Sequence, residues 1–306
     1  MNLPKLVAIV GPTASGKTAL AQKLAKTFRG EIVSADSRQL YRGMDIGTAK
    51  PSKKELKQIK HYLIDVKNPD QNYTLAQYQK DALRAIKPVL KRGKLPFLVG
   101  GTGLYVSAVV ENWLIPKSRP NKQLRAKLMK DLQKHGLNYL FGKLTTLDPE
   151  AAYVVDPKNP RRVIRALEVS LTTKKPFTAQ RLKGRPLFEV LLLGRKHSQK
   201  KLGKRIEQRI KLMVNQGLLS EVQRLVSKYG FRVKPFDAIG YREVIAYLKG
   251  QITLAEAINL ITKNTWQFAK RQDTWFKRLP VVWVKSQKQA EQKVKEFLNY
   301  QSRQAR

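Results

Sequence analysis

The feature that most constrains this chain is Gly11-Pro12-Thr13-Ala14-Ser15-Gly16-Lys17-Thr18, which fits the pattern G-x-x-x-x-G-K-[ST]. It directly follows the apolar run Leu6-Val7-Ala8-Ile9-Val10 and precedes Ala19-Leu20-Ala21-Gln22-Lys23-Leu24-Ala25, which reads as a helix. Strand, glycine loop and helix in that order are the setting in which the pattern works as a phosphate-binding loop. The glycines let backbone N–H groups curl around an anion, and the helix N-terminus adds its dipole. Lys17 is placed to reach a terminal phosphate and the Thr18 hydroxyl to hold Mg²⁺. A ligand carrying a pyrophosphate is therefore expected.

The next hundred residues continue the alternation. Glu31-Ile32-Val33-Ser34-Ala35 is a short strand ending in Asp36-Ser37, and His61-Tyr62-Leu63-Ile64-Asp65-Val66 reads as another. Thr74 to Leu90 keeps helical spacing through Leu75, Tyr78, Ala82, Leu83 and Ile86. Leu95-Pro96-Phe97-Leu98-Val99 is a strand stopped by Gly100-Gly101-Thr102-Gly103. Such alternation predicts a parallel sheet with helices on both faces. The character changes after Trp113: Pro116 and Pro120 mark a break, and from Asn121 the sequence reads as all-helical and basic. Phe188 to Leu193 returns to the sheet. A long helix is expected from near Gln199 to Ser227, and another from Thr253, where Thr253-Leu254-Ala255-Glu256 is a capping box. Val281-Val282-Trp283-Val284 reads as a last strand. The fold class is thus α/β, a P-loop NTPase-like parallel sheet flanked by helices, with an inserted all-helical subdomain. Residues 1–115 and 185–306 are expected to form the core and residues 116–184 the insertion.

Charge narrows the partners. Sixty-one Lys and Arg oppose 22 Asp and Glu, a net charge of +39, more than solubility requires. A polyanion, above all nucleic acid, is the expected partner, the alternative being a generally basic surface. The absence of cysteine excludes disulfides, thiolate catalysis and cysteine zinc sites. His61, His135 and His197 lie far apart without ligand spacing and read as structural. The sequence opens into a strand without a signal-type apolar region, and no apolar run is long enough to span a bilayer. A cytoplasmic protein is the expectation.

Three features fall at the carboxyl ends of expected strands, the edge where open parallel sheets bind ligands: the phosphate loop, Asp36-Ser37 and the Gly100–Gly103 turn. Asp36 has two readings, a turn or helix cap, or a carboxylate beside the phosphate site serving as general base or magnesium partner. Thr102 either belongs to a sharp strand exit or offers a hydroxyl close to an oxyanion. Arg205 and Arg209, four apart on one helix face, form either a solvated basic surface or an anion clamp. Arg161, Arg162 and Arg165, and Lys270-Arg271 near Trp275, suit phosphate-backbone contact or ordinary surface charge.

Taken together these blocks resemble the tRNA dimethylallyltransferase (tRNA isopentenyltransferase) family. The resemblance rests on Gly11 to Thr18, Ser34 to Tyr41 continuing into Gly43 to Pro51, Val99 to Tyr105, Asn159 to Arg162 running to Glu168, Arg205 to Arg209, Ala238 to Arg242, and Ala269 to Gln272, in order along nearly the whole chain. Asp36 with Gly43–Pro51 is its most specific part.

The resemblance implies transfer of a dimethylallyl group from dimethylallyl diphosphate to N6 of the adenosine 3′ of the anticodon, in tRNAs reading U-initial codons. It implies that Gly11, Pro12, Thr13, Ala14, Ser15, Gly16, Lys17 and Thr18 hold the donor diphosphate with Mg²⁺ at Thr18. Asp36 would act as the base, with Thr102, Arg209 and Lys17 completing the catalytic group. Contact with the tRNA anticodon arm is implied for Asp36, Ser37, Arg38 and Gln39; for Arg161, Arg162, Val163, Ile164 and Arg165; and for Asp237, Ala238, Ile239, Gly240, Tyr241 and Arg242. The insertion would close over that arm. A monomer of bacterial type, without a zinc-finger tail, is expected. Competing readings are a P-loop small-molecule kinase, an RNA-binding module with a vestigial phosphate loop, and an enzyme prenylating free adenine nucleotides.

Overall fold

A computed structural model describes residues 3–116, 121–180 and 182–299; Pro120, one of the two expected boundary prolines, lies outside them. The described residues of 1–110 and 186–306 form one compact unit and those of 111–185 a second.

The first unit opens with β1 (Lys5–Val10), α1 (Lys17–Thr27), β2 (Glu31–Ser34), α2 (Lys53–Gln58), β3 (His61–Tyr62), α3 (Leu75–Lys91), β4 (Pro96–Gly100) and α4 (Gly103–Val110). The second holds β5 (Trp113–Leu114), α5 (Lys122–Leu147), α6 (Ala151–Val154), α7 (Pro160–Thr173) and β6 (Leu182–Lys183). The first resumes with β7 (Glu189–Arg195), α8 (Gln199–Asn215), α9 (Leu218–Tyr229), α10 (Tyr241–Leu248), α11 (Leu254–Phe276), β8 (Val282–Val284) and α12 (Gln287–Asn299).

Six strands form one sheet in the order β3-β2-β4-β1-β7-β8, and every pairing in it is parallel. The central strands are mostly apolar because both faces are covered, with charged residues such as Lys5, Glu31, Glu189 and Arg195 at their ends. Successive side chains alternate between two cores: Leu6, Ala8 and Val10 of β1 join one, Val7 and Ile9 the other. The expected capping box at Thr253 forms, and a second one opens α3. Thr74 and Gln77 exchange bonds at the start of α3, and Thr253 and Glu256 do so at α11.

Two expected elements differ. The strand beginning at His61 pairs only over His61–Tyr62, because Leu63 (φ 62°) and Asp65 (φ 55°) adopt the left-handed region, which ends extended backbone. The long helix expected from Gln199 to Ser227 is two helices, α8 and α9. Gly217 sits between them at φ 94°, a conformation open to glycine and closed to helix interiors.

The second unit packs α5, α6 and α7 around Leu128, Leu140, Leu144, Val163, Ile164 and Leu167. α5 bends at Gly136. Glu168 is fully buried and compensated by Arg125 (2.6 Å) and Arg165 (2.8 Å) and by the Asn121 N–H (3.0 Å). The unit is not wholly helical: β5 and β6 pair as a short antiparallel ribbon.

Candidate active site

Parallel strands put all their carboxyl ends at one edge. β2, β4 and β1 are neighbours, with Ser34 beside Val99 and Val10 beside Gly100. The Asp36 turn, the Gly100–Gly103 turn and the phosphate loop therefore lie side by side although 60 or more residues separate the outer pair from the middle one in sequence. The Gly100 position has no room for a side chain, since a Cβ there would stand 2.1 Å from the Ala35 carbonyl oxygen. That close approach fits the β2 exit against β4.

A cavity of about 260 Å³ opens at this edge. Thr13, Lys17, Thr18, Asp36 and Arg209 border it together with Gln39 and the stretch Thr48–Pro51. Lys17 donates to the Pro12 carbonyl at 3.3 Å. Burial lowers its pKa to about 8, Asp36 opposing that shift and Arg209 reinforcing it. Burial also lowers the Arg209 pKa. Arg209 reaches the Thr13 hydroxyl at 3.4 Å and Arg205 the Ser15 carbonyl at 3.4 Å. Ser15 is fully buried with its Oγ unpartnered among the described residues. Cations thus gather around a loop that borders a cavity, an arrangement that suits an anionic ligand.

Asp36 caps its turn and also borders the cavity. Its Oδ1 accepts the Arg38 N–H at 2.8 Å and the Gln39 N–H at 3.4 Å, capping the turn. Oδ2 has no hydrogen-bond partner among the described residues, and Asp36 borders the cavity. Thr102 turns its hydroxyl to Ser37, accepting the Ser37 N–H at 3.0 Å and donating to Ser37 Oγ at 3.3 Å. It ties the two turns together and is not among the residues bordering the cavity.

The remaining site residues divide by exposure. Arg161 and Arg162 are exposed, Arg165 pairs with Glu168, and Val163 and Ile164 are core side chains of the second unit, so contact from these two would be through backbone alone. In the stretch 237–242, Asp237 and Arg242 are exposed, whereas Ala238 and Tyr241 are buried in the main core. Just before this stretch, the Pro235 carbonyl accepts from Arg38 of the Asp36 turn at 3.3 Å.

Two buried residues outside the sequence-based site organise it. Glu221 accepts the N–H groups of Asp45 (3.0 Å), Ile46 (2.7 Å) and Gly47 (3.1 Å) and the Tyr241 hydroxyl (2.7 Å). It fixes the loop that continues into the cavity wall at Thr48–Pro51, which Gln39 also holds through the Thr48 and Ala49 carbonyls at 3.2 Å. Gln272 accepts the Thr13 N–H and donates to the Gly101 carbonyl, each at 2.8 Å. Glu221 is visible in sequence only as a polar break in an apolar stripe, and Gln272 closes the Ala269–Gln272 block of the resemblance, which does not spell out its partners.

A family model described as IPP transferase matches residues 39–279. The tRNA dimethylallyltransferase of Herpetosiphon aurantiacus is 46% identical over 278 residues, 90% of this chain and 88% of its own length. That of Acetivibrio thermocellus is 40% identical over 304 residues, 97% of each chain. Among solved structures, the tRNA isopentenylpyrophosphate transferase of Bacillus halodurans superposes with a TM-score of 0.71 at 39% identity, covering 96% of this chain and 95% of that one. A eukaryotic dimethylallyltransferase described as acting on tRNA matches with a TM-score of 0.77 at 25% identity, covering 98% of this chain and 80% of its own. Likeness of this extent, in sequence and fold, leads to one conclusion: the chain belongs to the IPP transferase family.

Proposed function

We propose that the protein transfers a dimethylallyl group from dimethylallyl diphosphate to N6 of the adenosine 3′ of the anticodon in tRNAs that read U-initial codons, releasing diphosphate. The carrying observation is that one cavity is bordered at once by the phosphate loop and by a carboxylate with a free oxygen. Relatives that share most of the chain are tRNA dimethylallyltransferases.

In this reading the diphosphate lies in the loop. As the C–O bond to the allylic carbon breaks, its electron pair leaves on the diphosphate, where Lys17, Arg209 and the loop amides stabilise the growing charge. The N6 lone pair forms the new C–N bond, and Asp36 Oδ2 takes the proton lost from N6. Thr102 acts through the Ser37 turn, holding the Asp36 loop against the donor side.

Thr18 and Asp36 border the same cavity. Mg²⁺ commonly takes one or two protein oxygens and completes its shell with water and phosphate, a mode the Thr18 hydroxyl fits. When bound, the ion would supply charge neutralisation on the diphosphate.

The base must leave its stack to reach the carboxylate. The turn Asp36, Ser37, Arg38 and Gln39, the exposed residues of 237–242 and the basic helical unit then contact the anticodon arm, with positive charge holding the flanking phosphates. We propose the core as residues 1–115 with 185–306, residues 116–184 as the tRNA-binding insertion, and a monomer acting in the cytoplasm. No helix among the described residues is long and apolar enough to cross a membrane.

The test is incubation of purified protein with dimethylallyl diphosphate, Mg²⁺ and undermodified tRNA, followed by digestion and nucleoside mass analysis. A prenylated adenosine confined to tRNAs reading U-initial codons is expected. Unmodified tRNA with intact donor would overturn the reading, and ATP-dependent phosphoryl transfer without RNA would favour a kinase.

A further inference from the structure

We propose that Gln272 is a positioning residue for prenyl transfer: its side-chain amide sets the spacing between the phosphate loop and the turn that carries Thr102. The inference rests on the donor-diphosphate reading above and extends it to a residue that does not touch substrate.

Gln272 lies on α11 and is buried, only 7% exposed. Its Oε1 accepts the Thr13 N–H at 2.8 Å, across 259 residues of sequence. Its Nε2 donates to the Gly101 carbonyl at 2.8 Å, across 171 residues. One amide thereby spans the two turns that end β1 and β4. The fit is close: a Cβ at Gly101 would stand 2.3 Å from Nε2 and 3.5 Å from the Gly11 carbonyl oxygen. The neighbouring turn of the same helix repeats the docking, with the Trp275 indole against Gly103 and its N–H reaching the Ser107 hydroxyl at 3.4 Å.

The chemistry of the span selects glutamine. One end must accept from an N–H and the other must donate to a carbonyl. Glutamate has no donor for Gly101 and sets a carboxylate against its carbonyl, beside the diphosphate. Asparagine is one methylene short. The Thr13 N–H is also spent on Gln272, so the amides left for a diphosphate begin at Ala14. Gln272 therefore decides which part of the loop is available as well as where the loop stands. From there the chain of contacts runs through Gly101 to Thr102, whose hydroxyl holds Ser37 beside the base Asp36. Displacing the loop relative to this turn moves the leaving group relative to the nucleophile, and an error of about 1 Å in such a register can cost about 10²-fold in rate.

The experiment compares full-length wild type, Gln272→Met and Gln272→Glu in steady-state prenylation of undermodified tRNA, with tRNA Kd and Tm measured on the same preparations. Methionine keeps the length and removes both bonds. For Gln272→Met, kcat is expected to fall about 10–100-fold, measured well below its Tm, with tRNA Kd within about twofold of wild type because the buried Gln272 side chain itself touches no RNA in this reading. Gln272→Glu keeps the bond to Thr13, and for it the donor KM is expected to rise as well as kcat to fall. A Gln272→Met protein with wild-type kcat, or a loss that matches only its unfolded fraction, overturns the proposal. If Gln272→Met does not fold, Gln272→Glu decides: unchanged kcat and donor KM overturn it. Absence of product from the wild type would instead fail the functional reading.

Discussion

Residue 36 presents two carboxylate oxygens in different settings, one capping the turn and one, in the proposed function, acting as base. Oδ1 holds the turn and Oδ2 stands unpartnered, so substitutions separate the two. Asp36→Asn keeps the acceptor for the Arg38 and Gln39 N–H groups and removes basicity; kcat should fall about 10²–10⁴-fold with tRNA affinity retained. Asp36→Ala should lose nearly all turnover too, and any further loss of tRNA affinity relative to Asp36→Asn reports the turn. Product formation at the wild-type rate in both would remove Asp36 from the chemistry. Lys17 gives a pH signature. Its native pKa of about 8 lies below the usual lysine value of 10.5, chiefly through burial. The free protein therefore binds fewer protons here than the unfolded chain between those values, and this group's contribution to stability rises with pH across that window. Donor affinity moves the other way. The charged ammonium is the form that holds diphosphate, so donor Kd should weaken as pH rises through about 8. Calorimetric titration from pH 7 to pH 9.5 checks this, and a flat profile contradicts it.

At the scale of elements, helices supply what the loops cannot hold by themselves. The loop Gly43–Pro51 runs without regular structure past the cavity, and its N–H groups have no ladder to join. Glu221, in the first turn of α9, collects three of them and the Tyr241 hydroxyl. Burial, together with the charge and hydrogen bond of Glu221, pushes the Tyr241 pKa up. Glu221→Ala would leave these donors buried and unsatisfied, at a cost of about 3 kcal/mol. A lowered urea midpoint should accompany a raised donor KM, because Thr48–Pro51 form cavity wall; a midpoint within error of wild type would contradict the assigned role. The break at Gly217 belongs to the same design. The sequence suggests one helix from Gln199 to Ser227 because apolar spacing continues through the glycine. The turn at residues 216–217 instead lets α9 start afresh, with Glu221 four positions into it.

For the whole molecule, a net charge of +39 governs how it meets a polyanion. If binding neutralises six to ten phosphates, tRNA affinity should fall at least about 10³-fold between 50 and 200 mM salt. Binding titrations over that range test it, and near-constant affinity would assign the charge elsewhere. Substituting Arg161 and Arg162 together should reduce the salt slope, since each is exposed; Val163 and Ile164, buried in their unit, should report on stability and not on the slope.

Local pattern determined the core strands of the parallel sheet, several of the helices, the α11 cap and the phosphate loop, because periodicity, glycine spacing and cap chemistry act within a few residues and each leaves its mark where it acts. The Asp36 and Thr102 turns were legible for the same reason, as punctuation at strand ends. Which turns become neighbours was decided by the order β2-β4-β1, and that depends on pairing between strands 65 residues apart (Glu31 with Pro96) and 90 apart (Val7 with Phe97). Thr102 facing Ser37, Gln272 bridging Thr13 and Gly101, and Glu221 beneath the 45–47 loop were set only in the folded chain. Each is a hydrogen bond to a distant backbone group, and backbone donors and acceptors are the same at every residue, so nothing in the sequence marks the partner.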